Sequence, residues 1–187
     1  MSTRDAWAAT AMPAVVVPAA IGAELAAEVR ARLESVKYTR YALLDRGSYD
    51  EVTTPGEPEL LAALEGIAGE VTGRTLVVTE ARALRLGPGD YLLVRHDRVY
   101  DERPVELMLD LSHVSVPGAE LHYRHRGQVF FTVASTPGTL ALVERGPTVM
   151  CNHTYVSKRH RKASVVRLMV LLRDADPRAA IASTQRT

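Results

Sequence analysis

The chain has 187 residues, 47% of them hydrophobic and 24% charged, which is enough for one well-buried core and too short to need a second. Its 23 basic and 22 acidic residues leave a formal charge of +1, so no overall field argues for nucleic acid or an anionic membrane as partner, and any basic patch must be local. The single cysteine, Cys151, excludes an intrachain disulfide and fits a reducing compartment, so a cytoplasmic location is expected.

In chain order, residues 1–12 are mostly small and aperiodic and are expected to form a loose arm unless docked onto the body. Asp5, Pro13 and Pro18 interrupt the early apolar residues, so no signal peptide is expected. No run of eighteen apolar residues suggests a membrane span. AVVVP at 14–18 reads as a short edge strand closed by Pro18. Ile21, Leu25, Val29 and Leu33 recur every fourth position, with Glu24, Glu28, Arg30, Arg32 and Glu34 on other faces, which predicts an amphipathic helix over about 20–36. Residues 38–58 combine tyrosines with turn formers and read as a short strand followed by a long loop, a kind of segment that often borders a site. Pro58 suits the first turn of a second helix, whose stripe of Leu60, Leu61, Leu64, Ile67, Ala68 and Val71 ends at Gly73.

From Thr75 the period changes to two. TLVVTEARALRL is β-rich, and VELMLDLS alternates strictly, with Val105, Leu107, Leu109 and Leu111 on one face. Further strands are expected at 119–124, 128–134, 138–144, 148–156 and 163–173, separated by turns at Pro117-Gly118, Arg126-Gly127, Pro137-Gly138 and Gly146-Pro147. About eight short strands with regular turns mean a sandwich or barrel. The expected architecture is mainly β with N-terminal helices, in one domain over 1–187. Its parts are a helical region at 1–74, a β core at 75–174 and a disordered tail at 175–187.

Of the six histidines, His113, His122, His125 and His160 read as surface or locally bonded residues. His96-Asp97 and His153 stand apart, because each falls at the end of a strand with an apolar strand behind it. A set of two histidines and a carboxylate can hold Fe(II) on one face and leave three positions open. Arg167 lies inside VVRLMVLL, apolar on both faces, and a buried arginine needs an anionic partner, for which a structural pair with Asp110 or Glu144 is one candidate. Cys151 beside His153 reads as a small buried hydrophobe, and Asn152 and Tyr155 as residues that orient His153 or line a pocket.

Gly89-Asp90-Tyr91, His96-Asp97, Gly118-Ala119-Glu120-Leu121, Pro137-Gly138-Thr139-Leu140, His153 and a basic residue before or in the last strand follow one another in an order that resembles the Fe(II)/2-oxoglutarate-dependent dioxygenases. That resemblance covers roughly the second half of the chain. It implies a double-stranded β-helix (jelly roll) behind N-terminal helices, Fe(II) and 2-oxoglutarate as cofactors, and a small-molecule substrate to be hydroxylated or otherwise oxidised. It implies metal ligation by His96, Asp97 and His153, and cosubstrate binding by Arg167, Arg161, Lys162 and Tyr91. Arg167 is favoured among the basic residues because burial gives it a reason.

The first motif departs from the pattern. With His96 as ligand, the carboxylate position two residues on holds Arg98; with Asp97 as ligand, the histidine position holds Arg95. Adjacent residues of an extended strand face opposite sides, so His96 and Asp97 reach one ion only if the strand ends there, or if Asp101 or Glu102 substitutes. An iron-free β-helix protein, acting as a redox-neutral enzyme or binding a small acid, is the second reading. A third is a cupin-type site using His113, His122 and His125. SKRHRK at 157–162 reads as a solvated turn without the interleaved aromatics of a nucleic-acid site, though it could meet an acidic substrate or a carrier protein's phosphopantetheine arm.

Overall fold

The computed structural model describes residues 2–53, 55–94, 98–160 and 163–175. In chain order the elements are α1 (Thr3–Ala8), β1 (Ala14–Val17), α2 (Ala23–Ser35), β2 (Thr39–Leu43), β3 (Gly47–Thr53), α3 (Pro58–Thr72), β4 (Leu76–Leu86), β5 (Tyr91–Leu92), β6 (Val105–Asp110), β7 (Leu121–His125), β8 (Gln128–Val133), β9 (Leu140–Glu144), β10 (Val149–His153) and β11 (Val165–Asp174). The strands pair in the order β1-β9-β6-β11-β4-β3-β5-β10-β7-β8, with β2 on the outer side of β3, and every pairing is antiparallel.

This sheet doubles over on itself. The larger layer runs from β1 to β3 and β2, and the smaller one holds β5, β10, β7 and β8. Between them pack Met108 from β6, Ala141 and Val143 from β9, and Met169 and Leu171 from β11, against Leu121, Tyr123, Val149 and Cys151 of the smaller layer. The helices cover the outer face of the larger layer. There Val29 and Leu33 of α2, and Leu60, Leu64 and Ala68 of α3, meet Val105, Leu107, Leu109, Leu140, Leu142, Leu168 and Val170. Each leucine so buried contributes roughly 1.5–3 kcal/mol relative to exposure. The fold is the expected mainly β jelly roll with helices before its core strands.

Pro58 opens α3, and Gly73 closes it in the left-handed conformation with its N–H bonded to Gly69 O. The segment 38–58 differs from the expectation. It is a hairpin, β2 and β3, rather than a strand and a long loop, because Asp45 and Gly47 take positive φ and turn the chain back after five residues. Three strands before residue 75 therefore join the sheet. The N-terminal arm takes the docked alternative: Ser2 and Asp5 form a reciprocal capping box on α1, and Trp7 is buried in the helix-side core. The expected tail beyond Ala175 lies outside the described residues.

Gly47 decides where the two layers join. Its φ is +130°, and a Cβ there would overlap the Tyr91 carbonyl, so only glycine lets β3 pair with β5 through Gly47–Leu92 and Ser48–Tyr91. Beside this seam Asp90, 5% exposed, accepts from Arg40 Nη1 at 2.8 Å and Nη2 at 2.5 Å, from Ser48 Oγ at 2.5 Å and from Gly87 N at 2.8 Å. One carboxylate thus fastens β2, β3 and the turn into β5. No helix among the described residues is long and apolar enough to cross a membrane.

Candidate functional site

Alternation along β6 and β11 sends every second residue between the two layers. Glu106 and Met108 on β6, and Arg167 and Met169 on β11, point inward, as do Arg82 and Leu84 on β4, Tyr49 and Glu51 on β3, and Cys151 and His153 on β10. Nine of these residues, Arg167 excepted, line a cavity of about 50 Å³ together with Leu92. Such a volume has room for about four water-sized groups.

His153 ends β10 and is 4% exposed. Arg167, 2% exposed, stands behind it. Its Nη1 donates to His153 Nδ1 at 3.0 Å and its Nη2 to the Ala119 carbonyl at 2.8 Å. Burial, then the charges of Arg167 and Arg82, push the His153 pKa well below the usual imidazole range, so the ring is neutral near pH 7. A neutral ring that accepts at Nδ1 carries its hydrogen on Nε2. Arg167 does not pair with Glu144, which meets Arg74 and Arg103. Asp110 sits opposite Arg167 in register; its Oδ1 accepts from Ser112 N, and its Oδ2 has no hydrogen-bond partner among the described residues. Burial lowers the Arg167 pKa, and Asp110 opposes that.

A buried charge pair, which the sequence did not single out, lies on the same wall. Arg145, with no exposed side-chain surface, donates to Glu106 Oε2 at 2.5 Å, and Tyr123 donates to Glu106 Oε1 at 2.9 Å. Arg145 also bonds Val149 O and lies over the Tyr100 ring at 5.2 Å. Among the described residues Arg82, the guanidinium on the cavity wall, meets Glu51 at 3.4 Å and Glu80 at 3.6 Å. The available signal for these residues was Glu106 within an apolar alternating strand, and Arg82 within β-rich sequence.

The other residues singled out from sequence fall as follows. His96, Asp97, Arg161 and Lys162, with Arg95, lie outside the described residues. Tyr91 tilts against Tyr155 at 6.4 Å and does not line the cavity, whereas its neighbour Leu92 does. Asn152 accepts from Arg124 rather than orienting His153. Arg98 turns out to Glu80 at 2.8 Å, and Glu102 pairs with Arg173. His113 meets Glu34, His122 meets Glu120 at 2.8 Å, and His125 meets Thr148 at 3.0 Å, each a local contact away from the cavity.

Neither a protein-family model nor a curated protein matches the chain. Solved structures do. A Pseudomonas putida prolyl-4-hydroxylase superposes with a TM-score of 0.68 at 16% identity, over 92% of this chain and 98% of that one. The 2-oxoglutarate-dependent carbocyclase SnoK of nogalamycin biosynthesis gives 0.69 at 14% identity, over 94% and 85%. A 2OG-Fe(II) oxygenase-family oxidoreductase from Burkholderia pseudomallei gives 0.66 at 12%, over 85% and 84%. The chain has the fold of the 2OG-Fe(II) oxygenases.

His153 is neutral, buried and on the cavity wall. Its Nδ1 faces a guanidinium donor, where a ligating histidine ordinarily donates to a carboxylate or carbonyl. No three His, Cys, Asp or Glu side chains among the described residues gather as a metal site.

Proposed function

We propose that this protein is a 2-oxoglutarate- and Fe(II)-dependent oxygenase that oxidises a small molecule. The observation that carries the reading is the convergence of His153 with Arg167, fourteen residues apart in sequence, beside a cavity enclosed by the two layers of an oxygenase-type fold. His153 would hold the iron together with His96 or Asp97. Iron with a bound 2-oxo acid supplies the oxidising chemistry.

The chain's own residues bind and shield. Leu84, Leu92, Met108 and Met169 give the cavity apolar walls, which strengthen any charge interaction made inside it. Arg82 on the wall, with Arg167 behind His153, offers positive charge to an anionic occupant, offset by Glu51 and by Glu106, which is paired with Arg145. For His153 to offer Nε2 to a metal, the ring must carry its hydrogen on Nδ1, so Arg167 must turn from that atom toward another acceptor. Tyr49, stacked on Tyr41 at 5.3 Å, forms a wall of the cavity on the β2–β3 hairpin, where a substrate would be oriented.

The iron-free reading is favoured by one observation, the donation from Arg167 to His153 Nδ1. His153→Ala separates the two. On the oxygenase reading, metal content and succinate release from 2-oxoglutarate disappear together while the fold is kept. Metal content equal to that of the wild type removes His153 from the iron site and leaves the iron-free reading standing.

A further inference from the structure

We infer that Met108, Cys151 and Met169 form an all-sulfur site for one Cu(I) ion in the cavity between the layers. The inference goes beyond the reading above and stands without iron or a 2-oxo acid.

The chain has five methionines and one cysteine, and three of these six side chains line the one cavity. Met108 on β6 and Met169 on β11 are direct partners in the ladder between those strands. Their Cβ atoms therefore stand roughly 4.5–5.5 Å apart on the inner face of the larger layer. Cys151 reaches the same cavity from β10 of the smaller layer. All three pack in one cluster, and none is more than 6% exposed. Two neighbouring thioether side chains thus meet a thiol across the gap, from three strands. Methionine is unbranched with three rotatable bonds, so each thioether can be turned toward a common point while the backbone stays in place. Methionine also fills irregular gaps, yet here a gap of about 50 Å³ stays open, enough for one ion stripped of water.

The donor type selects the ion. Thioether and thiolate sulfur are soft ligands that select Cu(I), whereas carboxylate and water suit Mg²⁺, Ca²⁺ and Mn²⁺. The oxygen donors of the wall are engaged: Glu106 accepts from Arg145 and Tyr123, and Glu51 is opposed by Arg82. His153 accepts from Arg167 at Nδ1 and carries its hydrogen on Nε2, so in this arrangement its ring presents no lone pair to the cavity. The sulfurs remain.

Charge selects the ion a second time. Cu(I) on a Cys151 thiolate, with the thiol proton released to buffer, adds no net charge to the interior. Zn²⁺ bound in the same way adds one positive charge near Arg82 and Arg167, where a low dielectric makes like charges costly.

The test is anaerobic titration of the full chain with Cu(I) against the chromophoric chelator bicinchoninate, for the wild type, Cys151→Ala and the pair Met108→Leu with Met169→Leu. A parallel titration uses Zn²⁺, and X-ray absorption at the copper edge reads the donor atoms in the wild type. Thermal melts accompany each variant. The methionine pair conserves volume and decides the matter if Cys151→Ala fails to fold. The wild type is expected to take one Cu(I) per chain in a shell of sulfur donors, with affinity falling at least about tenfold in the methionine pair and about a hundredfold in Cys151→Ala. Equal affinity in the wild type and the methionine pair overturns the site. So does a shell of nitrogen donors, or wild-type protein that leaves all the Cu(I) with the chelator. Zn²⁺ held as tightly as Cu(I) overturns the assignment of the ion.

Discussion

The two faces of the larger layer are built from the same strands and do different work. Toward the helices β6 presents Val105, Leu107 and Leu109, and β11 presents Val166, Leu168, Val170 and Leu172, all packed in one aliphatic core. Toward the smaller layer the same strands present Glu106, Met108 and Asp110, and Arg167, Met169 and Leu171. All six residues of β6 are buried, so its polar half is no solvent face. One face holds the fold together by burial, and the other holds charge in a low-dielectric interior, where each group must find a partner.

The sharpest way to break that contrast is at Glu106. Glu106→Ala leaves Arg145 and Tyr123 without their acceptor and is expected to cost about 3–5 kcal/mol in chemical denaturation. The double replacement Glu106→Met with Arg145→Met should recover most of that loss, since an apolar pair of similar volume is often as stable as a buried ion pair. A double variant no more stable than Glu106→Ala would show that the inner face depends on its charges for stability. On the helix face, Leu64→Ala removes a side chain with no exposed surface and should cost about 2–5 kcal/mol, with affinity for small acids unchanged.

A smaller effect is expected at the seam between the layers. Burial alone would raise the pKa of Asp90, but the donors from Arg40, Ser48 and Gly87 outweigh it and hold the carboxyl below 3.8. Its stabilising contribution is therefore complete above about pH 4 and is lost as pH falls through the lowered folded-state value. Asp90→Asn should cost about 1–3 kcal/mol near neutral pH and flatten the acid limb of the stability profile, read from melts at successive pH values. The smallest effect belongs to the exposed surface. His113→Ala, which removes the exposed contact with Glu34, should change stability by less than about 0.5 kcal/mol.

This contrast also explains what the sequence disclosed. The helix-facing residues recur at fixed periods, so Val29, Leu33, Leu64, Leu107 and Leu109 were readable as core, and Pro58 and Gly73 as helix ends. Arg167 could be picked out because a charge inside VVRLMVLL has no other explanation than a buried partner. The identity of that partner was not readable, since His153 Nδ1 and Ala119 O arrive from β10 and from the turn before β7. Glu51 escaped notice because it fell in a segment read as a long loop, and Arg82 because Glu80, Arg82 and Arg85 read as ordinary surface charges of a strand; only the doubling of the sheet brings both onto the cavity wall. The hairpin at 38–58 was hidden by its glycine and polar content, and the docked helix α1 by its small residues. Both are set by tertiary contacts, at Tyr91 and Trp7, that no local pattern announces.

The proposed function puts iron-dependent oxidation with a 2-oxo acid on the inner face. The most direct measurement is an anaerobic titration of metal-free protein with Fe(II) and 2-oxoglutarate, following the weak visible charge-transfer band of the chelate. The account predicts that the band grows to an end point at equimolar iron and chain. Absence of the band, with no iron retained by the protein, would contradict it and leave a small-acid site without redox chemistry in the same barrel.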